Sequence, residues 1–236
     1  MKEKNQIWNA AKVAFPHTIP IMTGYGFLGM AYGICMRVAG LPAWYPMLSS
    51  IIVFGGSLEF LLVTMLLAPF APVQTLIMTI LVQARHLFYG IAMLDRYKGL
   101  GWKRFYLIFG LTDETFSINC TAKTADNVDR GWFYFFVTLF DQSYWVLAST
   151  TGGLIGSLLP SNTTGLDFAM TAMFVVILLE QWLKDKRHIS AWIGMICSVG
   201  CLLIFGADSF LIPTMCCILI GLTVFRKPIE QGRDAV

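Results

Sequence analysis

Charged residues are scarce in this sequence. Asp, Glu, Lys and Arg make up 13% of its 236 residues, whereas hydrophobic residues make up 56% and the mean hydropathy is +0.66. Soluble globular domains contain about 25% charged residues, so this composition excludes an ordinary soluble domain and predicts an integral membrane protein. The net charge is only +3, and the basic residues lie at the ends of apolar segments, which favours membrane flanks over nucleic-acid binding.

The sequence also lacks the short motifs of common enzyme and nucleotide-binding sites. It contains no GxxxxGK[ST] loop for phosphates, no HExxH pair for zinc and no GxSxG nucleophile elbow. Its six cysteines fall in or beside apolar segments, without metal-ligand spacing: Cys35, Cys120, Cys197, Cys201, Cys216 and Cys217. We therefore expect no cofactor, no metal centre, no ATP hydrolysis by the chain itself and no enzymatic function.

Long apolar stretches fill most of the chain, and a spanning helix needs about 20 apolar residues. The stretches lie near residues 15–36, 46–68, 72–94, 105–120, 131–159, 165–183, 189–206 and 210–225, and the segment at 105–120 is the weakest. The first dozen residues are polar and no small-residue cleavage site follows, so we expect the first stretch to be retained. The sequence predicts an all-α, polytopic helical bundle that forms a single transmembrane domain over residues 1–236.

Basic residues in short loops indicate which ends face the cytoplasm. Four regions qualify: the N-terminus, the loop at 96–104, the loop at 184–188 and the tail after Arg226. Three apolar stretches separate the first region from the second, and three more separate the second from the third, although two cytoplasmic ends require an even number of crossings. Six full crossings with two broken or re-entrant stretches satisfy this pattern; seven continuous helices, with one loop that breaks the rule, are the alternative.

The two halves of the chain, residues 13–94 and 131–226, resemble each other weakly. Gly29 and Gly33 precede a Gly-Leu pair and a stretch that ends near Glu59, whereas Gly152 and Gly156 precede a second Gly-Leu pair and a stretch that ends at Glu180. Small residues four apart let helices approach closely, and many transporters are built from internal repeats. The unequal spacings leave both a repeat and a chance similarity open.

Arg85 and His86 stand side by side within the apolar segment LVQARHLFYG, residues 81–90. A charge at mid-bilayer costs roughly 2.5–3.5 kcal/mol, so such residues usually face a bundle interior or a wet cavity. Arg85 lies nine residues before Leu94, about 13 Å along a helix, which is far for a side chain to reach the membrane surface. Arg85 is expected to line a substrate path; the alternative is an arginine held by carbonyls or a carboxylate to fix helix packing. His86 has packing as an equal alternative.

The segment VFGGSLEF, residues 53–60, interrupts another apolar stretch. Gly55, Gly56 and Ser57 predict a break in the helix, because paired glycines adopt backbone conformations that other residues resist. A broken helix exposes backbone donors and acceptors that bind polar substrates. A carboxylate at Glu59 has three potential roles: pairing with Arg85, receiving an amino group, or taking up a proton. The alternative is a close-packed kink with Glu59 as a structural acid.

Further acidic residues lie in or beside apolar segments. Asp113 and Glu114 follow Thr112 in the weak segment, which is typical of a helix start as well as of a functional pair. Asp141 is buried if its stretch spans the membrane, and Asp167 is expected to begin a helix. The candidates for proton coupling are therefore Glu59, His86, Asp113, Glu114 and Asp141.

These segments resemble the azaleucine-resistance, or AzlC, family of bacterial inner-membrane proteins. The resemblance covers residues 14–220 and rests on VFGGSLEF at 53–60, RHLFYG at 85–90, LTDETF at 111–116, GLDFA at 165–169 and the segment around Trp145 with its following glycines. It implies export of branched-chain amino acids together with a small AzlD-like membrane partner. The chain departs from the family pattern at Glu59, where Gln is usual, and at Gln83, where Asn is usual.

Together the residues and the resemblance predict a secondary transporter that exports valine, leucine, isoleucine or other small apolar amino acids. In this hypothesis Arg85 attracts the substrate carboxylate, while Glu59 and the backbone from Gly55 to Ser57 receive its ammonium group. The main alternative is a membrane subunit that works only within a complex, whose selectivity resides in the small partner.

Overall fold

The computed structural model describes residues 2–122, 128–158, 188–206 and 210–224, together with Val175, Leu178, Leu179, Trp182 and Leu183. The described residues form helices joined by short turns and no strands, as the all-α prediction requires. The chain divides into two compact units, residues 1–170 and 171–236. The predicted site residues all belong to the first unit.

Nine helices lie within the described residues. They are α1 (Lys2–Val38), α2 (Trp44–Ile52), α3 (Gly56–Leu67), α4 (Pro72–Met93), α5 (Lys103–Phe109), α6 (Asp113–Thr121), α7 (Arg130–Gly156), α8 (Ile189–Phe205) and α9 (Leu211–Val224). Of the helices that the structure describes, two are long and apolar enough to cross a membrane, namely Gln6–Val38 and Pro72–Met93.

Most of the predicted stretches coincide with these helices to within three residues. Two of them are broken, as predicted: residues 46–68 form α2 and α3, and the weak segment forms α5 and α6. The first apolar stretch, near residues 15–36, forms the later part of a longer helix, since α1 begins at Lys2. Its first turns are polar, and hydropathy alone does not reveal a helix that extends beyond the apolar stretch. Most of the stretch at 165–183, with Asp167 and Glu180, lies outside the described residues.

Helices α1 and α7 pack along each other and run in the same direction. Phe15 contacts Phe140, Tyr25 contacts Trp145, and Gly33 lies against Gly152, so the contacts advance together along both helices. We call the end of this unit at which α1 begins the near end, and the opposite end the far end.

Glycines allow the close approach of α1 and α7 towards the far end. A Cβ atom at Gly33 would overlap the backbone of Ser149, and one at Gly152 would overlap the backbone of Met30. A Cβ at Gly29 would come within 2.8 Å of the Cβ of Ala148. Of the glycines that suggested two similar halves, Gly33 and Gly152 therefore lie against each other across one helix pair, the close approach that small residues permit.

The near end is filled by an apolar cluster. It joins the start of α1, the end of α4, the second broken stretch and the start of α7 through Ala10, Ala14, Met93, Tyr97, Leu107, Leu111, Val128, Phe133, Tyr134 and Val137. Since α4 is 22 residues long, about 33 Å, and ends in this cluster, it begins at the far end.

Helices α2 and α3 form a hairpin that enters the unit from the far end. Helix α2 follows the end of α1, and it descends along α7, with Pro46 beside Gly153 and Ser50 hydrogen-bonded to Ser149. Helix α3 starts at mid-depth and returns towards the far end, where α4 begins. We call residues 44–67 the first hairpin.

Helices α5 and α6 form the corresponding hairpin from the near end. Helix α6 runs alongside α4, with Phe116 stacked on Tyr89 at 4.4 Å and the Sγ atom of Cys120 at 3.5 Å from the Sδ atom of Met93. Arg96, just after α4, donates to the carbonyls at the end of α6. We call residues 103–121 the second hairpin. The two stretches that were predicted to be broken thus form two hairpins, one entering from each end of the unit.

The outward surface of α4 is strongly apolar. Of its residues only Met93 is buried, and seven large apolar side chains are exposed: Val73, Leu76, Ile77, Ile80, Leu87, Phe88 and Ile91. A continuous apolar patch of this kind is unusual on a protein surrounded by water and is ordinary for one surrounded by lipid.

The second unit contains a pair of packed helices. Helices α8 and α9 are apolar along their lengths, and Gly221 of α9 lies against Ile193 of α8. Cys201 and Cys217 also meet across this pair, with 3.9 Å between their Sγ atoms.

Candidate functional site

The tips of the two hairpins meet beside the middle of α4, where Arg85 connects them. Its Nη2 atom donates to the hydroxyl of Ser57 at 3.2 Å, and its Nη1 atom forms an ion pair with Oδ2 of Asp113 at 2.7 Å. Ser57 lies in the first turn of α3, and Asp113 is the first residue of α6. One guanidinium therefore joins the starts of both returning helices.

Arg85 keeps capacity for a further partner. Its Nε atom is buried and has no hydrogen-bond partner among the described residues, and the same holds for Oδ1 of Asp113. The side chain of Arg85 is 41% exposed, whereas that of Asp113 is 28% exposed. An arginine paired with a carboxylate is what the packing alternative requires. This ion pair, however, is partly exposed and keeps two buried atoms without hydrogen-bond partners among the described residues.

The break in the first hairpin falls where the glycines predicted it. Helix α2 ends at Ile52, Phe54 has a left-handed backbone with φ of +42°, and α3 begins at Gly56. A Cβ atom at Gly55 would overlap Nε2 of Gln83 on α4. The side-chain amide of Gln83 therefore lies directly against Gly55 and would have to shift to admit a side chain there. Gln83 is one of the two positions at which the chain departs from the family pattern noted above.

The break in the second hairpin is stabilised by a capping box. The hydroxyl of Thr112 accepts from the backbone N–H of Thr115, and the hydroxyl of Thr115 accepts from the backbone N–H of Thr112. The prediction that α6 starts after Thr112 is confirmed. Glu114, in the same turn, accepts from the hydroxyl of Tyr25 at 2.7 Å, so this start is tied to α1 as well as to α4.

Glu59 is completely buried and both its oxygens are occupied. Oε1 accepts from the hydroxyl of Ser50 at 3.0 Å, and Oε2 accepts from Nε1 of Trp145 at 2.6 Å. The suggested pairing of Glu59 with Arg85 is therefore wrong, because Asp113 takes that position. The donors around Glu59 come from the first hairpin and α7, and they connect the two elements through a hydrogen bond of 2.8 Å between Ser50 and Ser149.

Asp141, in the middle of α7, is also completely buried, as predicted. In contrast with Glu59, neither of its carboxylate oxygens has a hydrogen-bond partner among the described residues. The next residue, Gln142, forms a second bridge between the hairpins, because it accepts from the hydroxyl of Tyr106 at 2.6 Å and donates to the carbonyl of Ile51 at 3.2 Å.

His86 contacts the ring of Tyr89 edge-on at 5.7 Å, and its buried Nδ1 atom has no hydrogen-bond partner among the described residues. It thus lies beside the ion pair without taking part in it. The described residues contain no group of three or more His, Cys, Asp or Glu residues that is suited to a metal ion.

The sequence analysis missed the aromatic partners of the buried acids. Tyr25 binds Glu114 and also packs edge-on against Trp145 at 5.2 Å, which in turn binds Glu59. A signal was present for Tyr25, which is flanked by Gly24 and Gly26 inside an apolar stretch. The partnership of Trp145 with Glu59, 86 positions away, depends on the re-entrant fold and has no local signal.

Comparison with known proteins identifies a family that covers the residues of this site. The family model described as AzlC protein matches residues 20–159, which include both hairpins, α4 and α7. The chain belongs to the AzlC family. A relative from Bacillus subtilis, named branched-chain amino acid transport protein AzlC, is 52% identical over the whole chain and 93% of its own length.

Other AzlC relatives are named as membrane proteins without a stated activity. One from Haemophilus influenzae is 45% identical over the whole chain and 97% of its own length, and one from Helicobacter pylori strain 26695 is 35% identical over 96% of the chain and 99% of its own length. No solved structure matches the chain.

Proposed function

We propose that this chain is a membrane transporter of branched-chain amino acids such as valine, leucine or isoleucine. The observation that carries the proposal is the position of Arg85, a cation at mid-depth that joins the starts of two re-entrant helices. Re-entrant and broken helices are the usual places where transporters bind polar parts of their cargo. The substrate class is supported by the name of the Bacillus subtilis relative.

In this mechanism the substrate carboxylate binds beside Arg85. The partial exposure of the Arg85 side chain leaves room for this contact. Its buried Nε atom is a donor without a partner among the described residues, which a further acceptor would satisfy. The starts of α3 and α6 add to it, because the first N–H groups of a helix lack intrahelical partners and favour anions. Ser57 and the backbone from Gly55 line the same place, so the polar end of the substrate meets several donors.

The same proposal includes a membrane topology, a direction of transport and a coupling ion. The chain has six full crossings and two re-entrant hairpins in the bacterial inner membrane, with basic loops in the cytoplasm, and it works as a transporter rather than an enzyme. Transport is outward and coupled to protons. The candidates for carrying the proton are Glu59, His86, Asp113, Glu114 and Asp141, all of which lie on or beside the hairpin tips.

The experiment is transport by the purified chain in sealed vesicles, with and without a small AzlD-like membrane protein. We expect labelled L-leucine to accumulate when a pH gradient is imposed and to stop accumulating when a protonophore collapses the gradient. Accumulation that requires the small partner favours the subunit alternative. Absence of leucine flux under both conditions would contradict the proposal.

A further inference from the structure

Asp141 is the one fully buried carboxylate of the described residues whose two oxygens both lack a hydrogen-bond partner. An ionised carboxylate in such a place is strongly unfavourable unless a cation or donor compensates it. Buried polar groups of native proteins nearly always have partners, so Asp141 calls for a partner beyond the described residues.

The groups that face Asp141 come from three other helices. They are Tyr25 of α1, Tyr106 of α5 and Glu114 of α6, each close enough for an electrostatic interaction with its carboxylate. Of these, only Glu114 is a carboxylic acid, and as a carboxylate it carries the same sign as Asp141. Two neighbouring acids, of which Asp141 is fully buried, create a demand for positive charge that these neighbours do not supply.

The start of α6 lies between the two acids, Asp141 and Glu114, on one side and Arg85 on the other. Asp113 faces Arg85, whereas the next residue, Glu114, faces Tyr25 and Asp141. Positive charge therefore lies on one side of a single helix turn and negative charge on the other. A free amino acid has the complementary arrangement, with its carboxylate and ammonium groups on one carbon atom.

We infer that Asp141, together with Glu114, receives the α-ammonium group of the transported amino acid, while Arg85 binds its carboxylate. This inference rests on the proposed function. It assigns the ammonium group to the second hairpin and α7 rather than to Glu59, because both oxygens of Glu59 already accept hydrogen bonds from Ser50 and Trp145.

The test compares two ligands with the same carbon skeleton. L-leucine carries the ammonium group, and 4-methylpentanoate lacks it but keeps the carboxylate and the branched side chain. Binding of each is measured with the purified full chain in nanodiscs. The wild-type protein is expected to prefer leucine, and Asp141→Asn is expected to reduce that preference by about tenfold to a hundredfold, the usual contribution of a hydrogen bond to a charged group.

The affinity for 4-methylpentanoate should stay unchanged in the Asp141→Asn protein, since that ligand does not contact the acid. The matched control is Asp129→Asn, the same substitution on the same helix at its exposed N-cap, where asparagine also accepts from the backbone of Trp132. This control should keep the wild-type preference.

Glu114→Gln provides a second variant in case Asp141→Asn does not insert. It retains an acceptor for Tyr25 and should also reduce the preference for leucine. An unchanged preference in the inserted variants would overturn the inference, and so would an equal loss of affinity for both ligands, the result expected if Asp141 only holds a proton. A wild-type protein that binds neither ligand would instead contradict the proposed function on which the inference rests.

Discussion

The two hairpins enter the first unit from opposite ends, and their tips differ in how completely their polar groups are satisfied. At the first hairpin, Glu59 is fully buried and accepts hydrogen bonds at both oxygens from Ser50 and Trp145. At the second, Asp113 keeps one buried oxygen without a partner and lies 28% exposed, in an ion pair with Arg85.

This difference in hydrogen bonding suits the two hairpin tips to different roles, one structural and one in binding. A buried acid with two donors is held in one position, and the glycine contacts between α1 and α7 fix the helices around it. An ion pair with free atoms and partial exposure can exchange one partner for another, which is what binding and release of a charged cargo require. In the proposed mechanism the buried contacts of the first hairpin therefore hold the site in place, while Ser57 at its tip joins the second hairpin, α4 and α7 in binding.

The largest effect should follow from a substitution that breaks the scaffold, Gly33→Val. The added side chain would overlap the backbone of Ser149 and Gly152, which cannot move aside as a flexible side chain would. Overpacking costs about 1–3 kcal/mol in ordinary cores, and we expect a loss at or above the upper end of that range. The measurement is thermal or denaturant unfolding of the purified protein, read together with the yield of inserted protein.

Gly26→Ala is the matched control for that experiment. Gly26 lies on the same helix, but a Cβ atom there would have no neighbour within 4 Å. Its stability should be unchanged or slightly higher, because alanine favours the helix. Equal behaviour of the two variants would show that the close contact of α1 and α7 does not stabilise the fold.

A smaller effect is expected for Trp145→Phe, which removes one donor from Glu59. The aromatic contact with Tyr25 is largely kept, but Oε2 of Glu59 loses its hydrogen bond. A buried acceptor left without a partner should lower the free energy of unfolding by about 1–2 kcal/mol. The check is the same unfolding measurement, with Trp132→Phe, at the near end of α7, as the comparison. Equal stability of the wild-type and Trp145→Phe proteins would mean that Glu59 is not held by this contact.

Local rules predicted much of the fold and part of the site. Gly55 and Gly56 indicated the first break, Thr112 with the following acids indicated the second, and basic loops indicated two stretches that do not cross fully. These features depend on a few neighbouring residues and on the cost of burying charge. The same cost singled out Arg85, which the structure places between the tips of the two hairpins.

The pairing of these residues lay beyond the sequence. Asp113, rather than Glu59, became the partner of Arg85, because both returning helices start beside α4 and α6 runs along it. Likewise, Trp145 reaches Glu59 only because α3 turns back beside α7. Such contacts depend on how the two hairpins meet in space. The positions of apolar residues, glycines and charges along the chain do not predict that geometry.

The central claim is that Arg85 meets the cargo at the junction of the two hairpins. It is tested most directly by measuring L-leucine binding to purified wild-type and Arg85→Ala protein, with insertion and thermal stability checked in parallel. We predict that the variant inserts and folds but loses detectable leucine binding, because the substrate carboxylate has lost its fixed cation. An unchanged affinity for leucine in the folded variant would contradict the claim.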